Sequence, residues 1–154
     1  MNTYYAVIDT NVIISSAMSA NSFPRQVYDA IKDGIIVPLL SDEIFVEYNN
    51  VIKRSKFHFP NDVVNDILNL FITHGIFMDG THPLDAIIPD LKDVIFYEVV
   101  LEARDKTDAY LVTGNSRHFP KQTFIVTPRQ MINIINGLAP DQLDIVSKNN
   151  NESA

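Results

Sequence analysis

The chain has 154 residues, of which 12 are Lys or Arg and 19 are Asp or Glu, giving a formal net charge of -7. This length suits one domain with a sizeable core. The absence of cysteine excludes disulfides, thiolate metal sites and a cysteine nucleophile, and the acidic balance argues against a broad basic face for nucleic acid.

The predicted elements alternate between short β-branched runs and longer amphipathic ones. Strands are predicted at 4–8, 35–39, 76–78, 109–113 and 124–127, and helices at 11–20, 24–33, 42–55, 60–73, 90–103 and 129–136. A long loop is expected over 79–89, which is rich in Gly, Thr and Pro. The alternation predicts an α/β fold: a three-layer α/β/α sandwich with a mainly parallel central sheet of about five strands.

No linker divides the chain, so we expect one domain over residues 1–140 and a C-terminal extension over 141–154. The stretch 147–154 contains three consecutive Asn residues and is predicted to be disordered. The sequence contains neither a signal-peptide pattern nor a run of about 18 apolar residues. We therefore expect a cytoplasmic protein that does not enter a membrane.

The first predicted strand ends on Asp9, and Asn11 follows two residues later. Ligands of open α/β sheets bind beyond the carboxyl ends of the strands, which makes Asp9 the first candidate for chemistry. An alternative explanation is that Thr10 or Asn11 caps the next helix and that Asp9 interacts favourably with its N-terminal dipole.

Further acids lie on two of the predicted helices. Glu43 and Glu47 are four residues apart and share a helix face beside an apolar stripe. Asp90 and Asp93 are three residues apart near a helix N-terminus, where the helix dipole alone would also favour them.

The fourth predicted strand also ends in a polar turn, which contains Thr113 and Asn115. If this strand neighbours the first, both residues face Asp9 across the crevice where the strand order reverses. The alternative is an ordinary turn and helix cap. Three histidines, His74, His82 and His118, show no ligand spacing, and each is expected to be a surface or capping residue.

Taken together, these motifs resemble the PIN-domain nucleases, most closely the branch of toxin components of toxin–antitoxin pairs. The resemblance covers roughly residues 4 to 136. Its motifs are, in chain order, Asp9-Thr10-Asn11-Val12, the stretch from Leu40 to Phe57, Asp90 with Asp93 and Phe96, and the stretch from Asp108 to Gly114.

The resemblance implies an acidic triad of Asp9, Glu47 and Asp93 that binds Mg²⁺ or Mn²⁺, with Glu43 as the alternative helix acid. Asn115 stands where the family usually has an Asp, so one metal position should be weaker here. The remaining residues would support the site: Asn11, Thr113, Asp90 and Asp108.

The expected activity is metal-dependent hydrolysis of phosphodiester bonds in single-stranded RNA, a reaction that divalent ions on oxygen ligands can promote. An antitoxin protein and a second copy of the chain are the other expected partners. Phosphate contacts are assigned to Arg25, Lys53, Arg54 and Lys56, although cations at a helix end also have a purely structural explanation.

Two other classes of function stay open. One is a phosphatase or phosphotransferase with Asp9 as a covalent nucleophile, although the chain lacks a second Asp at residue 11. The other is a PIN-like module that binds RNA or protein but has lost catalytic power through Asn115.

Overall fold

Five short strands and six α-helices alternate along residues 2–142, the part of the chain that this computed structural model describes. The strands are β1 (Tyr4–Ile8), β2 (Ile36–Leu40), β3 (Ile76–Phe77), β4 (Tyr110–Val112) and β5 (Ile125–Val126). The helices are α1 (Thr10–Met18), α2 (Phe23–Lys32), α3 (Asp42–Ile52), α4 (Asn61–His74), α5 (Leu91–Arg104) and α6 (Pro128–Ile135).

The strands form one parallel sheet in the order β3-β2-β1-β4-β5, which confirms the predicted α/β architecture. In the register of β1 with its two neighbours, Val7 lies beside Leu39 and Leu111. All five strands therefore end at the same edge of the sheet. The order reverses between β1 and β4, which places a crevice beyond the ends of these two strands.

Local sequence signals set the helix starts. Side-chain oxygens of Ser22, Ser41 and Thr127 accept hydrogen bonds from backbone amides in the first turns of α2, α3 and α6. Gly34 has a φ of 77°, a left-handed conformation that glycine adopts without strain, and it reverses the chain between α2 and β2. These signals explain why the predicted helices lie within a few residues of the observed ones.

Helices cover the sheet on both faces. The connection from β3 to β4 runs back across the sheet, and its helix α5 packs on β1, β2 and β4. By the right-handed crossover rule it lies on the face opposite to α2 and α4, which pack on β2. Because both faces are covered, β1 carries the buried run Ala6, Val7 and Ile8.

A buried tyrosine joins α3 to the end of the central strand. Tyr48 is fully buried, its ring packs 4.7 Å from the ring of Phe71 between centroids, and its hydroxyl donates a hydrogen bond to the carbonyl oxygen of Ile8. Burial, together with the charge of Asp9, holds the pKa of Tyr48 well above its usual range. The contact fixes α3 beside the residue that follows β1.

The third predicted helix is too long. It ends at Ile52 rather than residue 55, and a one-turn 3₁₀ helix at Ser55–Phe57 follows. The residues between them, Lys53 and Arg54, are exposed, so no apolar side chain extends the buried stripe of α3.

The predicted loop after β3 contains no helix or strand, and side chains of α5 hold it in place. The Gly80 amide donates to Glu102 Oε2 at 2.8 Å, and the Tyr97 hydroxyl donates to Asp85 Oδ1 at 2.7 Å. The predicted disordered stretch 147–154 lies outside the described residues. Across residues 2–142, no helix combines the length and apolar character needed to span a bilayer.

Replacing Tyr48 with Phe is expected to destabilise the fold by about 1–3 kcal/mol, because the buried carbonyl of Ile8 would lose its hydroxyl donor. Urea unfolding measures the change. The matched control is Tyr110→Phe, since the half-buried Tyr110 makes no side-chain hydrogen bond within residues 2–142. Equal stability of the two variants would show that the Tyr48 hydrogen bond contributes nothing to stability.

Candidate active site

Asp9 lies at the centre of the carboxyl edge of the sheet. Its amide donates to the carbonyl of Val112 at 2.9 Å, which continues the pairing of β1 with β4 by one residue. Asp9 occupies the N-cap position of α1, but its side chain makes no cap hydrogen bond. Its Oδ2 instead accepts from the hydroxyl of Thr113 at 2.8 Å and from the side-chain amide of Asn11 at 3.2 Å.

A second layer of hydrogen bonds holds these two partners. The Gly114 amide donates to Asn11 Oδ1 at 3.0 Å, and the Asn115 amide donates to Thr113 Oγ1 at 3.0 Å. Gly114 suits this position because a Cβ there would come within 3.3 Å of Asn11 Oδ1. Hydrogen bonds therefore join the turns after β1 and β4, and the carboxylate of Asp9 has little rotational freedom.

The carboxylate of Asp9 is buried, with only 6% of the residue exposed. Burial is the main cause that raises the pKa of Asp9, the hydrogen bond from Thr113 opposes this effect, and the charge of Asp93 raises the pKa further. The folded protein therefore holds an acid here whose negative charge is only partly compensated.

Asp93 supplies a second, half-buried acid from the first turn of α5. Its side chain is 14% exposed, and Nδ1 of His118 lies 3.5 Å from its Oδ2. The ring nitrogen stands at the limit of hydrogen-bond distance, and the buried Oδ2 makes no well-formed hydrogen bond. Burial is the largest cause of the raised pKa of Asp93; His118 lowers it, while Asp90 and Glu47 raise it through their charges.

The two acids of α3 point to different surroundings. Glu47 is half-buried, and its charge acts on Asp93. Glu43 is exposed, and its charge raises the pKa of Glu98 on α5 instead, after the larger effect of burial on Glu98 itself. Of the two predicted alternatives, Glu47 is the one whose charge acts on Asp93.

The donor set at this edge suits a divalent cation. Two buried side-chain oxygens of residues 2–142 have no hydrogen-bond partner, namely Asp93 Oδ2 and the hydroxyl oxygen of Thr10, the residue after Asp9. Hard carboxylate oxygens that raise each other's pKa are stabilised by a cation between them. Within the described range, however, no three Asp, Glu or His side chains stand close enough to form a ready-made metal cluster.

The other predicted acidic and amide residues lie at varying distances from this centre. Asp90 is exposed, and its Oδ1 caps α5 by accepting from the Lys92 amide at 2.9 Å. Asn115 is exposed beside Thr113. Asp108 precedes β4, so it lies at the edge of the sheet opposite to Asp9. The structure therefore separates Asp108 from the acids.

The predicted phosphate-binding cations are partly engaged by neighbouring side chains. Arg25 pairs with Asp29 at 3.2 Å. The ammonium of Lys56 lies 5.0 Å from the centroid of the Phe57 ring, whose other neighbour is the stacked ring of Phe59 at 5.6 Å. Lys53 and Arg54 are exposed.

Sequence reasoning missed one residue of this centre, His118. His118 is exposed, in agreement with the prediction of a surface residue, but its ring lies beside Asp93 because the one-turn helix Ser116–His118 folds the chain back after β4. Its position three residues after Asn115, in the same strand-end turn, is the signal that could have identified it.

The sequence profile of one family, described as PIN domain, matches residues 5–117. This range contains Asp9 and Asp93 as well as Glu47, Thr113 and Asn115. No curated protein matches the chain. No solved structure matches it either.

Without metal, Asp9→Asn is expected to stabilise the fold near neutral pH, by on the order of 1 kcal/mol, because it removes a buried charge. The folded state holds the Asp9 proton to a higher pH than the unfolded chain does. That contribution to stability is therefore lost as the pH rises through the raised pKa, and the variant should lack this loss.

Urea unfolding in a chelator from about pH 4 to pH 8 tests this expectation. Asp108→Asn is the control, because it removes an exposed carboxylate at the opposite edge of the sheet. A variant at Asp9 that lost stability with rising pH as steeply as the parent would contradict the account of the buried charge.

Proposed function

The chain belongs to the PIN-domain family, and from this premise we propose that it is a metal-dependent endoribonuclease that hydrolyses phosphodiester bonds in single-stranded RNA. PIN domains are generally nucleases, so the class of activity follows from the family. The kind of nucleic acid, the metal dependence and the residue roles are the parts that we propose.

One observation carries the proposal. Asp9 is buried and Asp93, from a distant segment, is half-buried; the charge of Asp93 raises the pKa of Asp9, and the buried Oδ2 of Asp93 makes no well-formed hydrogen bond. Burying two like charges side by side is unfavourable unless something positive joins them. A divalent cation bound by both carboxylates would remove this penalty.

In this proposal Asp9, Glu47 and Asp93 hold Mg²⁺ or Mn²⁺, and the amide oxygen of Asn115 adds a neutral ligand. The cation would supply positive charge for the phosphate and would lower the pKa of an attacking water.

The chain's own residues prepare that site. The hydroxyl of Thr113 and the amide of Asn11 orient Asp9, and the hydrogen bond from Thr113 also favours its charged form. Asp90 adds negative charge next to Asp93 while it caps α5. We assign Asp108, which precedes β4 at the other edge of the sheet, a structural role only.

The wider role that we propose is that of a toxin acting in the cytoplasm with an antitoxin as its partner, with residues 1–140 as the nuclease domain. Induced expression should then arrest growth, and Asp9→Asn should lift the arrest. We also propose a homodimer, supported by the edge strand β3, where Ile76 and Phe77 are 47% and 44% exposed. Sedimentation of the purified protein tests that state directly.

A catalytically attenuated module is the second candidate, and a specific observation favours it. Asn115 offers only a neutral oxygen, and within residues 2–142 the acids are not gathered into a ready-made cluster. Such a module would bind RNA or a protein partner, while cleavage stayed at background even with Mn²⁺. RNA cleavage above background that depends on Asp9 would exclude it.

Glu47→Gln is expected to lower Mn²⁺ affinity and RNA cleavage by more than about 100-fold, because it removes a ligand rather than an outer partner. Asp9→Asn should abolish both. Calorimetric titration with Mn²⁺ and cleavage of a mixed single-stranded RNA are the measurements.

Glu43→Gln is the matched control on the same helix and should leave both properties within a few-fold of the parent. A larger loss in Glu43→Gln than in Glu47→Gln would reverse their roles. Metal binding that survives in Asp9→Asn would refute the proposed centre.

Asn115→Asp is expected to raise Mn²⁺ affinity by up to about tenfold, or roughly 1.4 kcal/mol, because a charged oxygen ligand replaces a neutral one. The same calorimetric titration measures the Mn²⁺ affinity. Asn133→Asp is unsuitable as a control because Asn133 is buried. Asn136→Asp at the end of α6 adds the same charge away from the centre. If Asn115→Asp changed neither affinity nor cleavage, position 115 would not belong to the metal site.

A further inference from the structure

A groove of about 830 Å³ lies next to the acidic centre, beyond the ends of β4 and β5. Its floor includes Ile125 and Val126 of β5, and one wall is the segment from Ser116 to Thr123. This volume falls in the range of roughly 300–1,000 Å³ that is typical of ligand sites. The groove is therefore large enough for a short stretch of a linear ligand.

Two structural links join the groove to the acids. The Thr113 amide donates to the carbonyl of Val126 in the groove floor at 2.9 Å, while the hydroxyl of Thr113 holds Asp9. The one-turn helix Ser116–His118 separates the two sites: His118 lies 3.5 Å from Asp93, and Ser116 and Arg117 line the groove. A ligand that occupied both sites would pass over this one turn.

The charge of the groove differs from that of the chain as a whole. Arg117 and Lys121 line it, both are exposed, and neither forms an ion pair with any residue in 2–142. Its one acid is Asp141, whose Oδ1 accepts from the side-chain amide of Gln130 at 2.7 Å. In a chain of net charge -7, this local excess of free cations favours an anionic ligand.

We propose that this groove holds the nucleotides on one side of the scissile phosphate, with Arg117 and Lys121 contacting the RNA backbone. The inference rests on the nuclease activity proposed above. The groove lies on the β5 side of Asp9, whereas Lys53, Arg54 and Lys56 follow α3, the helix that begins after β2. The RNA strand would thus cross the carboxyl edge of the sheet and contact the protein on both sides of the acids.

The residues that line the groove also indicate whether RNA binding there would depend on base sequence. Phe119 is only 6% exposed, so the groove offers little aromatic surface for base stacking. Cations on a groove that has no stacking platform grip phosphates and not bases. Contacts in the groove should therefore add affinity for any RNA sequence.

The test is RNA binding in the absence of a catalytic metal, with fluorescence anisotropy of labelled single-stranded oligonucleotides at several salt concentrations. The double variant Arg117→Gln with Lys121→Gln should bind about tenfold more weakly. The slope of log affinity against log salt should fall by about 1.4, since each lost phosphate contact on a single strand contributes about 0.7.

The matched control is Lys32→Gln with Lys106→Gln, which removes the same charge from exposed positions at the opposite edge of the sheet. Its affinity and salt slope should stay close to those of the parent. Mn²⁺ affinity should be unchanged in both double variants, because neither alters an acid of the proposed metal centre.

Oligonucleotides extended on one side of the cleaved bond sharpen the test. An oligonucleotide extended into the groove should bind more tightly to the parent protein but not to the groove variant. An oligonucleotide extended on the other side should gain the same affinity for both proteins. The groove variant could instead match the control both in RNA affinity and in its response to extended oligonucleotides. The groove would then not be the RNA path, and a peptide partner would become its candidate ligand.

Failure of this inference can be told apart from failure of the nuclease proposal. Cleavage by the parent together with unaffected binding in the groove variant would overturn the groove alone. Groove-dependent binding without any cleavage would overturn the nuclease activity and support the groove as an RNA site.

Discussion

The central constraint of this molecule is the burial of a carboxylate at the end of its middle strand. Asp9 can stay there because Thr113 and Asn11 direct hydrogen bonds to one of its oxygens, while the main chain of the neighbouring turn holds both partners. The other features of the site follow from this arrangement. Because the first charge is fixed and buried, the charge of a second acid, Asp93, raises the pKa of Asp9 further.

The fold was largely predictable because its determinants are local. Alternating apolar runs identified the five strands, and Ser or Thr before a helix, together with Gly after one, placed most ends to within a few residues. The meeting of Asp9 with Thr113 was also foreseeable, since both follow strands that a parallel sheet places side by side. The third helix was predicted too long because a charged residue such as Lys53 has good helix propensity, although its exposed side chain adds no buried contact to the helix.

Other parts of the site were harder to predict, because the contacts that form them leave no periodic pattern in the sequence. A single 3₁₀ turn brings His118 to Asp93, and three residues are too few to show a pattern. Glu43 and Glu47 share a helix face, so spacing alone does not show which acid each of them faces; in the structure the charge of Glu47 acts on Asp93 and that of Glu43 acts on Glu98. Asp108 is the opposite case, because a residue that precedes a parallel strand must lie away from the edge where the strands end.

The hydrogen bond between Thr113 and Asp9 spans 104 positions of the chain. At a ribosomal rate of roughly 5–20 residues per second, Asp9 waits about 5–20 s after its own synthesis before its partner is made. During that interval β1 has no neighbour on the β4 side and the carboxylate remains hydrated. The nascent chain consequently carries an incomplete centre, and the hydrogen bonds that fix Asp9 can form only when synthesis is well advanced.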